Sequence, residues 1–347
     1  MDNTVVISTP PHVKSKRTTR GIMIDVCIAL MPCVIAGIVF FGWQALVVEL
    51  VAVAACVATE FVYFFIANKG FSNKCRDAGK VCKRWLKQFD FTSVVTGLIL
   101  ALILPSAVKW YEVLIGGIFS IAIVKMLFGG TGKNLVNPAA AGRVFMFLSF
   151  SATMIKYGLP NFDAVSLDSG ALSTGATNLA GLLGENPSSQ LSALDLFLGS
   201  GVPGCIGETC KVAILVGFIY LCVRKVIKWW QPLMFIAIFG LVAVLLSGFA
   251  YDSYTFDIGL FLPHVLSGGV LFGAVFMFTD YVTSPRSVWG QVLFIGLGAI
   301  ITAALRYMTG IEVTSFVIML MNLFVPLIDK YVFPKPFGYK KPAKEGK

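Results

Sequence analysis

Apolar residues in this chain gather in long uninterrupted blocks instead of alternating with polar ones. The blocks cover approximately residues 21–42, 43–66, 91–108, 111–128, 138–155, 209–223, 229–248, 264–280, 288–306 and 312–329. Most hold about 18 residues or more, enough for a helix to cross ~30 Å of hydrocarbon. The block at 209–223 is the shortest. Lipid offers the backbone no hydrogen bonds, so such blocks must satisfy themselves as helices. Barrel strands would instead show short segments of alternating polarity. The pattern predicts an all-α integral membrane protein with about ten transmembrane helices.

The segments between the blocks carry the charge. Lys and Arg cluster in the N-terminal tail (Lys14, Lys16, Arg17, Arg20), after the second block (Lys69 to Lys87), after the sixth (Arg224, Lys225, Lys228) and beyond residue 330. With ten crossings all of these fall on one side, which the positive-inside rule makes cytoplasmic. The opposite side holds Lys109, Lys156, Lys211 and Arg306, along with acids such as Asp163, Asp168, Glu185, Asp195, Asp252 and Asp257. The net charge of +10 therefore reads as topology, with membrane lipid as the surroundings and no nucleic acid. Only 13% of the 347 residues are charged, against roughly 25% in an average soluble protein. The start of the chain has no apolar core before residue 21 and does not read as a signal peptide.

VVTGLILALILPS (94–106) faintly matches VLSGGVLFGAVFMFTD (265–280). The two blocks would run in opposite directions, as expected of inverted repeats. The expected organisation is a cytoplasmic tail at 1–20 and a five-helix repeat at 21–155. An external segment at 156–208, a second five-helix repeat at 209–329 and a cytoplasmic tail at 330–347 follow. A segment as long as 156–208 is usually functional or disordered.

Three stretches hold candidate chemistry. GGTGKNLVNPAAAGR (129–143) combines permissive glycines with Asn134 and Asn137. Their amides suit the imide edge of a flat heterocycle, or simply cap a helix that starts at Pro138. It is not a phosphate loop, because Lys133 is followed by Asn134. LSTGATNLAG (172–181) offers hydroxyls in the long external segment. The polar turn Asp280, Thr283, Ser284, Pro285, Arg286 either clamps a ligand or caps itself. Asp25, Glu49, Glu60, Glu112 and Lys125 interrupt apolar blocks, and Glu60 is the deepest candidate for ion handling. The eight cysteines form no CxxC, which disfavours a metal site, and Cys205 and Cys210 are a candidate pair. His12 and His264 fall on opposite sides and do not suit a haem. Residues alone also allow a solute channel or secondary transporter of inverted-repeat fold.

ISTPPHVKSKRTT (7–19), DFTSVVTGLILALILP (90–105), GGTGKNLVNPAAAGR, GCIGET (204–209) and LSGGVLFGAVFMFTDYVTSPRS (266–287) resemble, in order, the D subunits of the Rnf ion-translocating ferredoxin:NAD+ oxidoreductase complexes. These are related to the B subunit of the sodium-pumping NADH:quinone oxidoreductase. The resemblance implies a multi-pass subunit of the prokaryotic inner membrane that carries electrons on flavin between ferredoxin and NAD+ branches. The complex moves Na+ or H+, and the chain is not catalytic alone. It implies FMN joined through its phosphate to Thr177, in Thr174-Gly175-Ala176-Thr177 on the external side. Asp168 lies further upstream of that threonine than the motif usually has it. A noncovalent riboflavin on Asn134 and Asn137 is implied as well. The partners implied are the other subunits of the complex, including a second covalent-flavin subunit, and a flavin transferase. No catalytic residue and no metal ligand is implied. The resemblance assigns NAD+ to a partner.

Overall fold

A computed structural model describes residues 17–67, 75–160, 193–199, 201–250 and 258–332. It is all-helical. α1 (Thr19–Phe41) and α2 (Trp43–Ala67) form a long hairpin. Thr18 caps α1 by accepting from the Gly21 amide at 3.2 Å. Gly42, at φ 65°, turns the chain into α2 in a conformation that costs glycine little. α3 (Cys75–Gln88) is amphipathic and is pinned by Trp85, whose ring meets Phe61 of α2 edge-on at 5.1 Å. α4 (Thr92–Leu102), α5 (Trp110–Ile118, continued by a π-helix, Phe119–Met126) and α6 (Pro138–Ser149) follow. Then come α7 (Ala193–Leu198), α8 (Lys211–Val223) and α9 (Trp230–Ala250). α10 (Phe261–Leu266) leads to α11 (Val270–Phe272, continued by a π-helix, Gly273–Met277). α12 (Val288–Thr309) and α13 (Thr314–Tyr331) close the bundle.

By length and composition α1, α2, α9, α12 and α13 can each cross a membrane, and α10 with α11 adds a sixth, bent crossing. α4 and α8 are apolar but shorter. Leucines, isoleucines and valines on the outer faces stay exposed, as Ile28, Ile35, Leu241 and Leu297 do. Such a surface suits lipid and not water.

Small residues bring the helices into contact. A Cβ on Gly97 of α4 would stand 2.7 Å from the Val53 Cα of α2, and one on Gly217 of α8 would collide with the Ala29 carbonyl of α1. Close backbone approach of this kind is the usual basis of packing between membrane helices.

Three of the expected spans are not continuous helices. The block 91–108 stops being helical at Leu102, because Pro105 removes an amide and its ring disfavours a further turn. The stretch beyond is held by a different element: Pro105 bridges to Cys205, and the Ile206 and Gly207 amides donate to the Leu104 and Leu102 carbonyls at 3.1 and 2.7 Å. The block 264–280 bends by 74° between α10 and α11. Gly268 at that bend has φ 65°. The block 138–155 is also interrupted, at Phe150, before a last turn at Ser151–Met154.

Candidate functional site: a cavity between the two polar turns

At the end of the bundle where α1 begins, called the near end, the glycine- and asparagine-bearing connection between α5 and α6 converges with the polar turn after α11. Gly129, Gly130 and Gly132 have φ of 106°, 89° and 85°. They fold the segment between α5 and α6 into a tight turn. Asn137 ends the turn as the N-cap of α6: its Oδ1 accepts from the Ala139 and Ala140 amides at 3.0 and 3.3 Å, with Pro138 in the first helical position. The Asn134 Nδ2 donates to the Val136 carbonyl at 3.2 Å. The helix-capping role is therefore real. Both side chains nevertheless also border a cavity.

Its walls come from several helices and from both turns. Met23 and Val26 of α1, Val95 and Ile99 of α4, Leu221 of α8, and Val275 and Phe276 of α11 make them mostly apolar. Thr92, Lys125, Thr131, Asn134, Asn137, Thr279 and Asp280 supply polar atoms. Both π-helical segments reach this cavity, one through Lys125 and the other through Val275 and Phe276. Each π-turn widens the helix and re-aims the residues that follow it, an arrangement frequent at functional sites.

The turn after α11 both caps itself and lines the cavity. The Asp280 Oδ1 accepts from the Val282 amide at 3.1 Å and its Oδ2 from the Thr283 hydroxyl at 3.1 Å. The Arg286 amide donates to Asp329 of α13 at 3.1 Å. Partial burial first, then Asp280 and Asp90, pushes the Tyr281 phenol up to about 12, which keeps it a hydrogen-bond donor. The two turns are tied together by a residue that nothing in the local sequence singles out. Asn322 of α13 is buried. Oriented to satisfy both neighbours, its amide accepts from the Asn137 amide N–H at 2.9 Å and donates to the Thr283 carbonyl at 3.3 Å.

The ionisable residues inside apolar blocks mostly find partners. The Lys125 Nζ lies 3.1 Å from Glu60 Oε1, and it also donates to Thr92 Oγ1. Asp25 accepts from Arg224 and Tyr220. Glu112 accepts from the Thr153 hydroxyl at 2.9 Å. Both Glu49 oxygens are buried and lack a hydrogen bond.

At the opposite, far end the expected surface charges Lys211 and Arg306 are buried instead. Arg143 of α6 pairs with Glu208 at 3.0 Å and reaches the Cys205 sulfur at 3.5 Å. Lys211 donates to the Glu208 and Gly268 carbonyls. Arg306 donates to the His264 and Ser267 carbonyls at 3.2 and 2.9 Å and stands 3.9 Å from Glu312. Lys211 and Arg306 cap carbonyls left open where α10 stops. Cys205 and Cys210 are both free thiols. Thr177, Thr174 and Asp168 lie outside the described residues.

A multi-pass helical membrane protein with interrupted helices and a cavity between two polar turns is what these features define. The chain belongs to the NQR2, RnfD, RnfE family, whose model matches residues 6–338. It is 37% identical to the D subunit of the Na+-translocating ferredoxin:NAD+ oxidoreductase complex of Acetobacterium woodii, over 99% of this chain and 98% of that one. It is 33% identical to the D subunit of the proton-translocating ferredoxin:NAD+ oxidoreductase complex of Clostridium ljungdahlii, over 98% of each. To the D subunit of the ion-translocating oxidoreductase complex of Stutzerimonas stutzeri it is 34% identical, over 91% of each.

Proposed function

We propose that this chain is the D subunit of an ion-translocating ferredoxin:NAD+ oxidoreductase complex and carries electrons across the membrane on flavin. The observation that carries this reading is the near-end cavity. An imide edge presents one N–H between two carbonyl oxygens. Asn137 uses its Oδ1 for the helix cap, which leaves amide hydrogens to donate, and Asn134 uses its Nδ2 on Val136, which leaves an oxygen to accept. Apolar walls from α1, α4, α8 and α11 suit the faces of a ring system. The residues fit a noncovalent riboflavin; Asn134 and Asn137 would hold its polar edge and the walls would keep water away. The flavin itself supplies the redox chemistry, while the protein places and tunes it.

The second carrier in this reading is FMN on Thr177, attached by a flavin transferase, on the external side. The near end is then cytoplasmic. The reading includes ten crossings in two inverted halves, 21–155 and 209–329, with both tails cytoplasmic. Helix pairing supports it: α1 packs on α8 and α6 on α13, pairs that exchange with themselves when the halves are swapped. α2 packs on α4 and α5, and α9 likewise packs on α10 and α12. The interrupted crossings after Leu102 and at Gly268 occupy corresponding places in the two halves. Other subunits of the complex, one of them a second covalent flavoprotein, would exchange electrons with it.

The test is to express the chain with an active flavin transferase and examine the denatured band for flavin fluorescence, beside Thr177→Ala. Acid-released flavin is counted separately in wild type and in Asn134→Ala with Asn137→Ala. The reading expects a fluorescent wild-type band, a dark Thr177→Ala band, and acid-released flavin that falls only in the asparagine variant. A dark wild-type band with no released flavin would sink it.

A further inference from the structure

Lys125 is 2% exposed and lines the near-end cavity. Among the described residues that line the cavity Lys125 is the cation and Asp280 the acid, and both Asp280 carboxylate oxygens already accept hydrogen bonds from their own turn. A lysine stem is long enough to carry its charge to water along an apolar surface. Here the ammonium is held inside by two elements at once. Glu60 of α2 takes one bond at 3.1 Å, and Thr92 of α4 takes another while donating in turn to Asp90 at 2.6 Å. Thr131 of the glycine turn stands 3.2 Å from the same Thr92 oxygen. Glu60, by contrast, does not border the cavity, and its second carboxylate oxygen is buried without a hydrogen bond. A salt bridge that served packing alone would gain nothing from presenting its cationic half to a cavity. Burying an ion pair in low dielectric is often no better for stability than an apolar pair of equal size.

We propose that Lys125 is the charge that tunes the ring bound in this cavity, and that Glu60 sets how much of that charge the ring feels. The inference rests on reading the cavity as a flavin site. A ring that accepts an electron gains negative charge, and a fixed cation in its wall favours that reduced form. Glu60, on the far side of the ammonium, partly cancels the effect. The two residues therefore act in opposite directions on the ring, although they act together on the fold.

The experiment uses the full chain carrying Thr177→Ala, purified in lipid nanodiscs, so that only noncovalent flavin is present. Dithionite with redox mediators supplies the electrons, and flavin absorbance reports the midpoint potential. Riboflavin binding to the oxidised and to the reduced apoprotein gives the ratio of the two affinities. Glu60→Gln, which keeps a hydrogen bond to Lys125, is expected to raise the potential. Lys125→Met combined with Glu60→Gln is expected to lower it. The affinity ratio should move by about tenfold or more in each direction, the scale of one charge acting over several ångströms in a protein interior. Lys125→Arg should stay near wild type. If the neutral pair does not accumulate, Glu60→Gln and Lys125→Arg carry the test alone. Unchanged potentials and ratios in variants that retain flavin would overturn the inference and leave the flavin cavity standing. Potentials that shift in the same direction in both glutamine-bearing variants would overturn it too. A Thr177→Ala chain without released flavin would overturn the cavity reading and this inference with it.

Discussion

At the far end Arg143, Lys211 and Arg306 are each held by a carboxylate or by open carbonyls, and Lys211 and Arg306 tie the end of α10 to α8 and α12. At the near end Asn134, Asn137, Thr131 and Lys125 are also anchored, but each keeps a face on the cavity. Both ends bury polar groups in an apolar bundle. They differ in what lies beside those groups: at the far end protein surrounds them, although Arg306 Nε, His264 Nε2 and Glu312 Oε2 lack a hydrogen bond, whereas at the near end they border the cavity. Buried polar groups are costly unless partnered, so the far-end network holds an interrupted backbone, whereas the near-end groups, in the proposed reading, hold a flavin. In that reading the site is marked by a cavity beside anchored polar groups and not by unpaired ones.

The strongest way to break the comparison is at the far end. Arg143→Ala leaves Glu208 buried without its cation, and should cost ~3–5 kcal/mol, as removal of one partner of a buried pair does. Reduced accumulation in membranes and a lower unfolding temperature in detergent would show it. Arg143→Met with Glu208→Leu should recover much of that loss, since a well-packed apolar pair replaces two ions. Unchanged stability in Arg143→Ala would remove the structural half of the contrast.

Asn322→Leu probes the tie between the two near-end turns. The Asn137 amide and the Thr283 carbonyl would lose their partner, at a cost of ~1–3 kcal/mol, and noncovalent flavin should drop with it. Asn137→Ala comes next, with ~1 kcal/mol from the lost helix cap. Its companion Asn137→Asp separates the two functions of that side chain: the carboxylate keeps the cap but has no amide hydrogens. The expectation is near wild-type thermal stability with reduced flavin content, and equal loss of both would mean that Asn137 serves the helix alone. The smallest effect is expected from Thr131→Val, which removes one hydroxyl from the cavity rim. Riboflavin affinity should weaken a few-fold, the scale of a net ~0.5–1.5 kcal/mol for one hydrogen bond, with no change in stability.

Much of the near-end turn was legible in advance. Three glycines in four positions called for positive φ, and Asn137-Pro138 has the form of a helix start. Asn322 was not legible, because a lone asparagine in an apolar helix looks the same whether it faces a cavity, a neighbour or lipid. Lys125 and Glu60 were visible as anomalies, yet 65 positions separate them, and nothing local indicates that α2 and α5 bring them together. Lys211 and Arg306 were read as surface charges, since a basic residue at the end of an apolar block normally reaches water. The interrupted α10 supplied the carbonyls that draw them inward.

The sequence by itself determined the class of the protein: its all-helical, membrane-spanning character and the family to which it belongs. These follow from hydrophobic runs and from hydrogen bonds between near neighbours in the chain, both of which are local properties. Only the tertiary structure decided where the helices are interrupted, which charges pair, and that two turns more than 140 positions apart in the chain (Asn137 and Asp280) enclose one cavity. Those outcomes depend on which helix faces which. That choice is made by small residues such as Gly97 and Gly217 and by buried polar groups seeking partners, and such groups can be satisfied only across space.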